Sequence, residues 1–256
     1  MLALRALPAF QDNYIWTLAA DDGRALVVDP GDAAPVLRAA QEGLRPIAIL
    51  VTHHHPDHIE GIATLRDAFR IPCYAPDEPR IPQATARVGD GDTLDFPELD
   101  LRLAVSAVPG HTRSHVAFHG DEWLFCGDTL FSLGCGRLFE GSAAQMLDSL
   151  DRLAALPAST KVCCTHEYTL ANARFALAAE PVNAARDARV VQARAQRDAG
   201  RPTLPSSIGS ERECNPFLRV RSPSLQAQLQ HRLGRAPADR LEAFAELRAW
   251  KDGFKG

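Results

Sequence analysis

The segment VTHHHPDHIEG (51–61) packs four of the chain's nine histidines and one aspartate into positions 53–58. Imidazole and carboxylate are ligands for zinc and similar divalent ions. In an extended stretch successive side chains alternate, so His53 and His55 share one side, and His54 faces away and is not expected to be a ligand. Asp57 and His58 follow Pro56, where a helix is expected to begin, and so point elsewhere. One short segment thus offers two pairs of ligands, which suits two adjacent ions better than one. Three further apolar runs end in PGHT, CGDT and CTHE, which add His111, Asp128 and His166. Seven candidates exceed the four ligands that close a structural zinc site. They fit two ions sharing one carboxylate, with room left for water, which is a catalytic arrangement. Zinc, iron and manganese are all compatible with this donor set.

These ligands need elements that carry them to one place. LALRALPAF, NYIWTLAA, ALVVD, PIAILVTH, EWLFCGDTLF and KVCCTHEYT read as strands, and LRLAVSAV alternates, with Leu101, Leu103, Val105 and Ala107 on one face. APVLRAAQEGL, IEGIATLRDAF and SAAQMLDSLDRLAAL fit helices, the last with Ser142 as its cap. Strand ends along one rim of an α/β sheet gather side chains from distant positions, and ligands bind at such rims. From about residue 170 the character changes. ANARFALAAE, VNAARDARVVQARAQRDAG and APADRLEAFAELRAWKDG read as helices, with RPTLPSS and ECNPFLR as loops between them. The expectation is an α/β body over 1–168 and a helical segment over 169–256.

The 256 residues are 46% apolar and 23% charged, enough for a sizeable core. A net charge of −4 gives no pull toward nucleic acid or anionic membrane. That charge is uneven. Residues 201–256 hold ten Lys+Arg against six Asp+Glu, so the C-terminal part would welcome an acidic ligand. Near Met1, Pro8, Gln11, Asp12 and Asn13 interrupt any signal-peptide core. The six cysteines show no CxxC pair and read as reduced thiols of a cytoplasmic protein.

THHHPDH, PGHT, GDTLF and THEYT together resemble the metallo-β-lactamase superfamily. LPAFQDNYIW, VVDPGD, GCGRLFEG, THEYTLANARFA, NPFLR and the terminal RAWKD narrow the resemblance, over nearly the whole chain, to the glyoxalase II (hydroxyacylglutathione hydrolase) family. The resemblance implies a four-layer αββα metallo-β-lactamase sandwich with a small C-terminal helical domain that binds glutathione. It implies two divalent ions per chain, with zinc expected. His53, His55 and His111 would hold the first, Asp57, His58 and His166 the second, and Asp128 would bridge them. Asp29 would orient a metal-bound histidine. Arg137, Phe139, Tyr168, Arg248 and Lys251 would contact the substrate, the last two as exposed charges on one helix face. The implied reaction is hydrolysis of S-D-lactoylglutathione to glutathione and D-lactate, the second step of methylglyoxal detoxification, by hydroxide held between the two ions. The substrate is a small-molecule glutathione thioester, and a monomer is expected.

This chain departs from the family at some positions. Arg137-Leu138-Phe139 stands where Lys, an aromatic and Tyr are frequent, so Phe139 lacks a hydroxyl. Ser114 replaces a usual glycine, and Cys126 a common threonine. Other superfamily activities fit less well. A lactone or β-lactam ring needs no basic helical tail, persulfide dioxygenases bind one iron, and the superfamily RNases carry long additional domains.

Overall fold

The computed structural model describes residues 1–120 and 122–255. The chain falls into two compact units, Met1–Ala107 with Ser114–Gly127, and Val108–Arg113 with Asp128–Gly256.

The first unit opens with β1 (Ala3–Ala9), β2 (Asn13–Ala19) and β3 (Arg24–Val28), then α1 (Ala33–Gln41) and β4 (Arg45–Leu50). Next come α2 (Pro56–Ile59), α3 (Ile62–Phe69), β5 (Cys73–Pro76) and β6 (Ala86–Val88). The six strands form one sheet in the order β1-β2-β3-β4-β5-β6. The first two pairings are antiparallel, and the remaining three, from β3 onward, are parallel. A parallel sheet must be covered on both faces, and the sequence obliges. Val27 and Ile49 pack with Val36 and Ala39 of α1 and Ile62 and Leu65 of α3, while Leu26 and Leu50, pointing the other way, are also fully buried. β7 (Thr93–Phe96), β8 (Leu101–Ala107), β9 (Val116–His119) and β10 (Trp123–Gly127) then follow as neighbours in a second, antiparallel set. The alternation in β8 places Leu103 and Val105 inside as expected, whereas Leu101 and Ala107 at its ends are half-buried.

Two turns in this unit serve the site. After β3 the chain passes through Asp29 at φ 51 and then Pro30-Gly31. A Cβ at Gly31 would lie 1.9 Å from the Asp57 carbonyl oxygen, so only glycine lets this turn reach the ligand segment. The helix expected after Pro56 is two helices, broken at Gly61, whose N–H donates to the Pro30 carbonyl at 2.9 Å. A continuous helix has no spare amide for that contact. The break leaves α2 as a single turn carrying Asp57 and His58.

The second unit holds β11 (Leu130–Phe131) and β12 (Gly134–Cys135), which pair as a hairpin, then α4 (Ala143–Ala154) and β13 (Lys161–Cys164). Ser142 caps α4 in a reciprocal box with Gln145, as its sequence anticipates. α5 (Thr169–Ala179), α6 (Ala184–Asp198), β14 (Ser206–Ser207), α7 (Ile208–Cys214), α8 (Pro223–Leu233) and α9 (Arg240–Asp252) complete it. β14 pairs antiparallel with β13. The loop expected at ECNPFLR is corrected, because Cys214 closes α7. α8 was not expected either, although Ser222 caps it, Pro223 opens it and Gly234 closes it at φ 70.

The strands stop short of the metal-capable residues. β4 ends at Leu50 and β13 at Cys164, so His53 and His166 sit in the loops just beyond.

Candidate active site

In the first unit Val51–His54 and His58 of the ligand segment are buried, His55 and Asp57 are half-buried and Pro56 is exposed. His53 is fully buried, and its Nε2 lies 3.0 Å from His55 Nδ1, so the alternation does place these two rings together. His54 turns the other way, toward the buried carboxylate of Glu78, with Nδ1 3.9 Å from Oε2. Pro56 starts α2, and its one turn puts Asp57 Oδ2 3.6 Å from His58 Nε2. The His58 ring packs 4.0 Å, centroid to centroid, from that of His53.

Three of these side chains, His53, Asp57 and His58, are held from behind. His58 Nδ1 lies 3.0 Å from Asp29 Oδ2, which also accepts the Thr52 hydroxyl at 2.7 Å, and Asp29 Oδ1 accepts the Thr52 N–H at 2.7 Å. A proton held on Nδ1 by a carboxylate leaves the Nε2 lone pair for a metal. Thr52 Oγ1 sits 3.1 Å from His53 Nδ1 and fixes that ring in the same sense. Asn13 donates to Asp57 Oδ2 at 2.9 Å.

In the second unit His111, Asp128 and His166 converge. His111 Nε2 and His166 Nε2 each lie 3.4 Å from Asp128 Oδ2. Two atoms held about 2.0–2.1 Å from one tetrahedral ion sit about 3.4 Å apart, so this spacing and donor chemistry fit a bound metal. His111 Nδ1 donates to the Arg137 carbonyl at 2.8 Å, which directs its Nε2 to the carboxylate side. The Tyr168 ring stacks on that of His166 at 4.6 Å and 3°.

The residues expected to meet substrate also lie in this unit. Phe139 is 60% exposed, with its ring edge-on to His111 at 5.3 Å. The exposed Arg137 donates through Nε to Asp252 Oδ1 at 3.2 Å. Arg248 is not the exposed charge that its helix spacing suggested. It is only 5% exposed and donates to the Cys135 carbonyl at 2.9 Å and to Asp252 at 3.0 Å. Its Nε–H is buried with no hydrogen-bond partner among the described residues. Lys251 is half-buried over the Phe175 ring at 5.3 Å. Burial, then the charges of Arg248 and Arg174, pulls its pKa below 10.5.

Sequence reasoning missed Asn13, Thr52, Asp252 and the Arg137 carbonyl. Asn13 and Asp252 both lie in quoted motifs, QDNY and RAWKD, but nothing in the motif says what the side chain holds. Main-chain acceptors have no sequence signature.

Comparison with known proteins places this arrangement. Residues 13–166 match the metallo-β-lactamase superfamily profile, and residues 167–254 match the profile described as hydroxyacylglutathione hydrolase C-terminus. A protein of Xanthomonas campestris pv. campestris (strain B100) named hydroxyacylglutathione hydrolase is 56% identical over 99% of this chain and 100% of its own length. One of the same name from Xylella fastidiosa (strain M12) is 55% identical over 99% of this chain and 98% of its own. Among solved structures, TTHA1623 in a di-iron-bound form superposes with a TM-score of 0.57 at 26% identity, covering 84% of this chain and all of that one.

Proposed function

The chain belongs to the hydroxyacylglutathione hydrolase family of the metallo-β-lactamase superfamily, and from that membership we propose that it hydrolyses S-D-lactoylglutathione and related 2-hydroxyacyl thioesters to glutathione and the free acid. The fold is that of the superfamily, followed by a helical C-terminal region. The observation that carries the reading is the pair of imidazole nitrogens flanking one oxygen of Asp128 at 3.4 Å, within a chain that also bears the family's C-terminal segment.

The family implies divalent metals. In our assignment His53, His55 and His111 hold one ion, Asp57, His58 and His166 the other, and Asp128 serves both. Zinc is the expected metal. When bound, such a pair supplies Lewis acidity for the thioester carbonyl and lowers the pKa of a coordinated water toward neutrality. The chain's own part is positional. Asp29 and Thr52 set the tautomers of His58 and His53, Asn13 aims Asp57, and the Arg137 carbonyl does for His111 what Asp29 does for His58. The thiolate of glutathione is a good leaving group, so no strong general acid is required.

Glutathione has two carboxylates and one ammonium. We assign Arg137, Lys251 and the unpartnered Nε–H of Arg248 to its polar groups, and the faces of Tyr168 and Phe139 to its peptide. These sit in or beside the helical segment 169–256, which we read as the glutathione-binding domain, with 1–168 as the catalytic one. No helix among the described residues is long and apolar enough to cross a membrane. A cytoplasmic location accords with six cysteines that are all buried and form no disulfide, and we take the protein as a monomer.

The test is thiol release, followed with a chromogenic disulfide, from S-D-lactoylglutathione beside a β-lactam and a lactone. Preference for the thioester supports the assignment. Faster turnover of either ring would overturn it.

A further inference from the structure

The hairpin β11–β12 has two residues in each strand, joined by Ser132 and Leu133. So short a hairpin has no stability of its own. Leu133 sits at φ 60, a conformation disfavoured for any side chain larger than glycine. Side chains from the helical segment hold the hairpin in this shape. Asn172 on α5 donates to the Ser132 carbonyl at 3.1 Å. Glu211 on α7 accepts the Leu133 N–H at 2.8 Å. Asn215, just past α7, donates to the carbonyls of Phe131 at 3.0 Å and Gly134 at 2.9 Å, and to Glu211 Oε2 at 3.0 Å. Both Glu211 and Asn215 are fully buried. The two amide protons of Asn215 serve three acceptors, so at least one is shared, and each contact constrains the others.

The two ends of this hairpin are part of the candidate site. Asp128 lies two residues before Leu130. Gly136 donates to the Thr129 carbonyl at 3.1 Å, and a Cβ on it would stand 1.9 Å from the Asp128 carbonyl oxygen. Arg137 comes next, and its carbonyl takes the His111 proton. A small displacement of the hairpin therefore moves both the Asp128 carboxylate and the group that orients His111.

We propose that Glu211 and Asn215 are positioning residues that fix Asp128 and the Arg137 carbonyl in the geometry needed to bind metal. This rests on the reading of Asp128 and His111 as ligands. Glu211 must supply an acceptor rather than a charge, because the Leu133 N–H and the Asn215 amide both point at the same oxygen, Oε2. Glutamine can put its amide oxygen there and turn its NH2 to the place of Oε1, which is buried with no hydrogen-bond partner among the described residues. Leucine cannot.

The experiment compares zinc affinity, by competition with a chelator, and kcat and KM in wild type, Glu211→Gln, Glu211→Leu and Asp128→Ala. Glu211→Gln keeps affinity and kcat within about twofold. Glu211→Leu loses about tenfold or more in affinity, the range for removing a group that supports a metal ligand, with kcat falling and KM little changed. If Glu211→Leu folds and keeps wild-type affinity while Asp128→Ala loses metal, the proposal is overturned. Equal losses in Glu211→Gln and Glu211→Leu also overturn it. Full metal retention in Asp128→Ala removes the ligand reading beneath it, and the proposal with it. Should Glu211→Leu not fold by circular dichroism, Asn215→Ala, which removes the two side-chain bonds to the hairpin carbonyls of Phe131 and Gly134, carries the test. A fall of about tenfold in affinity supports the proposal, and an unchanged affinity overturns it.

Discussion

Asp29 meets His58 at 3.0 Å, Oδ2 to Nδ1, while its two oxygens also accept the Thr52 hydroxyl and N–H, each at 2.7 Å. The carboxylate is thus fixed by the main chain before it fixes the imidazole. Asp29→Ala frees the His58 ring to turn and to change tautomer. Metal affinity should drop by about 10- to 100-fold, measured by chelator competition on the folded variant. Affinity equal to wild type would mean that Asp29 serves only its turn.

Phe139 is exposed at the edge of His111 and lacks the hydroxyl frequent in the family at this position. Phe139→Tyr restores a donor without crowding the core. One added hydrogen bond contributes about 0.5–1.5 kcal/mol, so KM should fall by about two- to tenfold, with kcat unchanged. A higher KM would show that the peptide of glutathione does not pass this ring.

Lys251 gives the substrate site a pH dependence. Burial, with Arg248 and Arg174 adding repulsion, draws its pKa below 10.5. The protonated form binds an anionic substrate, so KM should climb as pH rises through a range below 10.5 and recover as pH is lowered. Lys251→Ala should raise KM about tenfold at neutral pH, for about 1.4 kcal/mol lost, and flatten the alkaline limb. Because the contact is with the remote part of the substrate, kcat should change much less. An alkaline rise of equal size in the variant would assign it to another group.

The orientation of the histidine segment was the most legible part of the chain, because alternation in an extended segment is a local, two-residue rule. It separated His53 and His55 from His54 correctly. Strands β2, β3 and β4 and the Ser142-capped helix α4 were legible for the same reason, that their signals are local. What failed depended on distant partners. The break at Gly61 exists because its amide donates to the carbonyl of Pro30, 31 residues earlier in the chain. Arg248 looked exposed by helix spacing, yet the Cys135 carbonyl draws it inside. α7 was hidden because IGSEREC offers few apolar residues for a period to show in, and its buried Glu211 reads as a surface residue.

Glu78 ties stability to acid pH. Its buried carboxylate is held at about 2, first by its hydrogen bonds to Arg80, against 4.5 when unfolded. A depressed folded pKa gives stability that is full above 4.5 and is lost as pH falls toward about 2, since the unfolded chain protonates first. Arg80 is half-exposed, so solvent screening limits the effect to on the order of 1 kcal/mol. Chemical denaturation of wild type and Glu78→Gln between these pH values should show a shallower decline in the variant. Parallel declines would place the acid sensitivity elsewhere.

The most direct measurement is a zinc titration of the metal-free chain while thiol release from S-D-lactoylglutathione is followed. Activity should rise until two ions are bound per chain and then level off, and Asp128→Ala should reach only a small fraction of it at any zinc concentration. Full activity at one ion per chain, or in the presence of excess chelator, would contradict a binuclear hydrolase built on these seven residues.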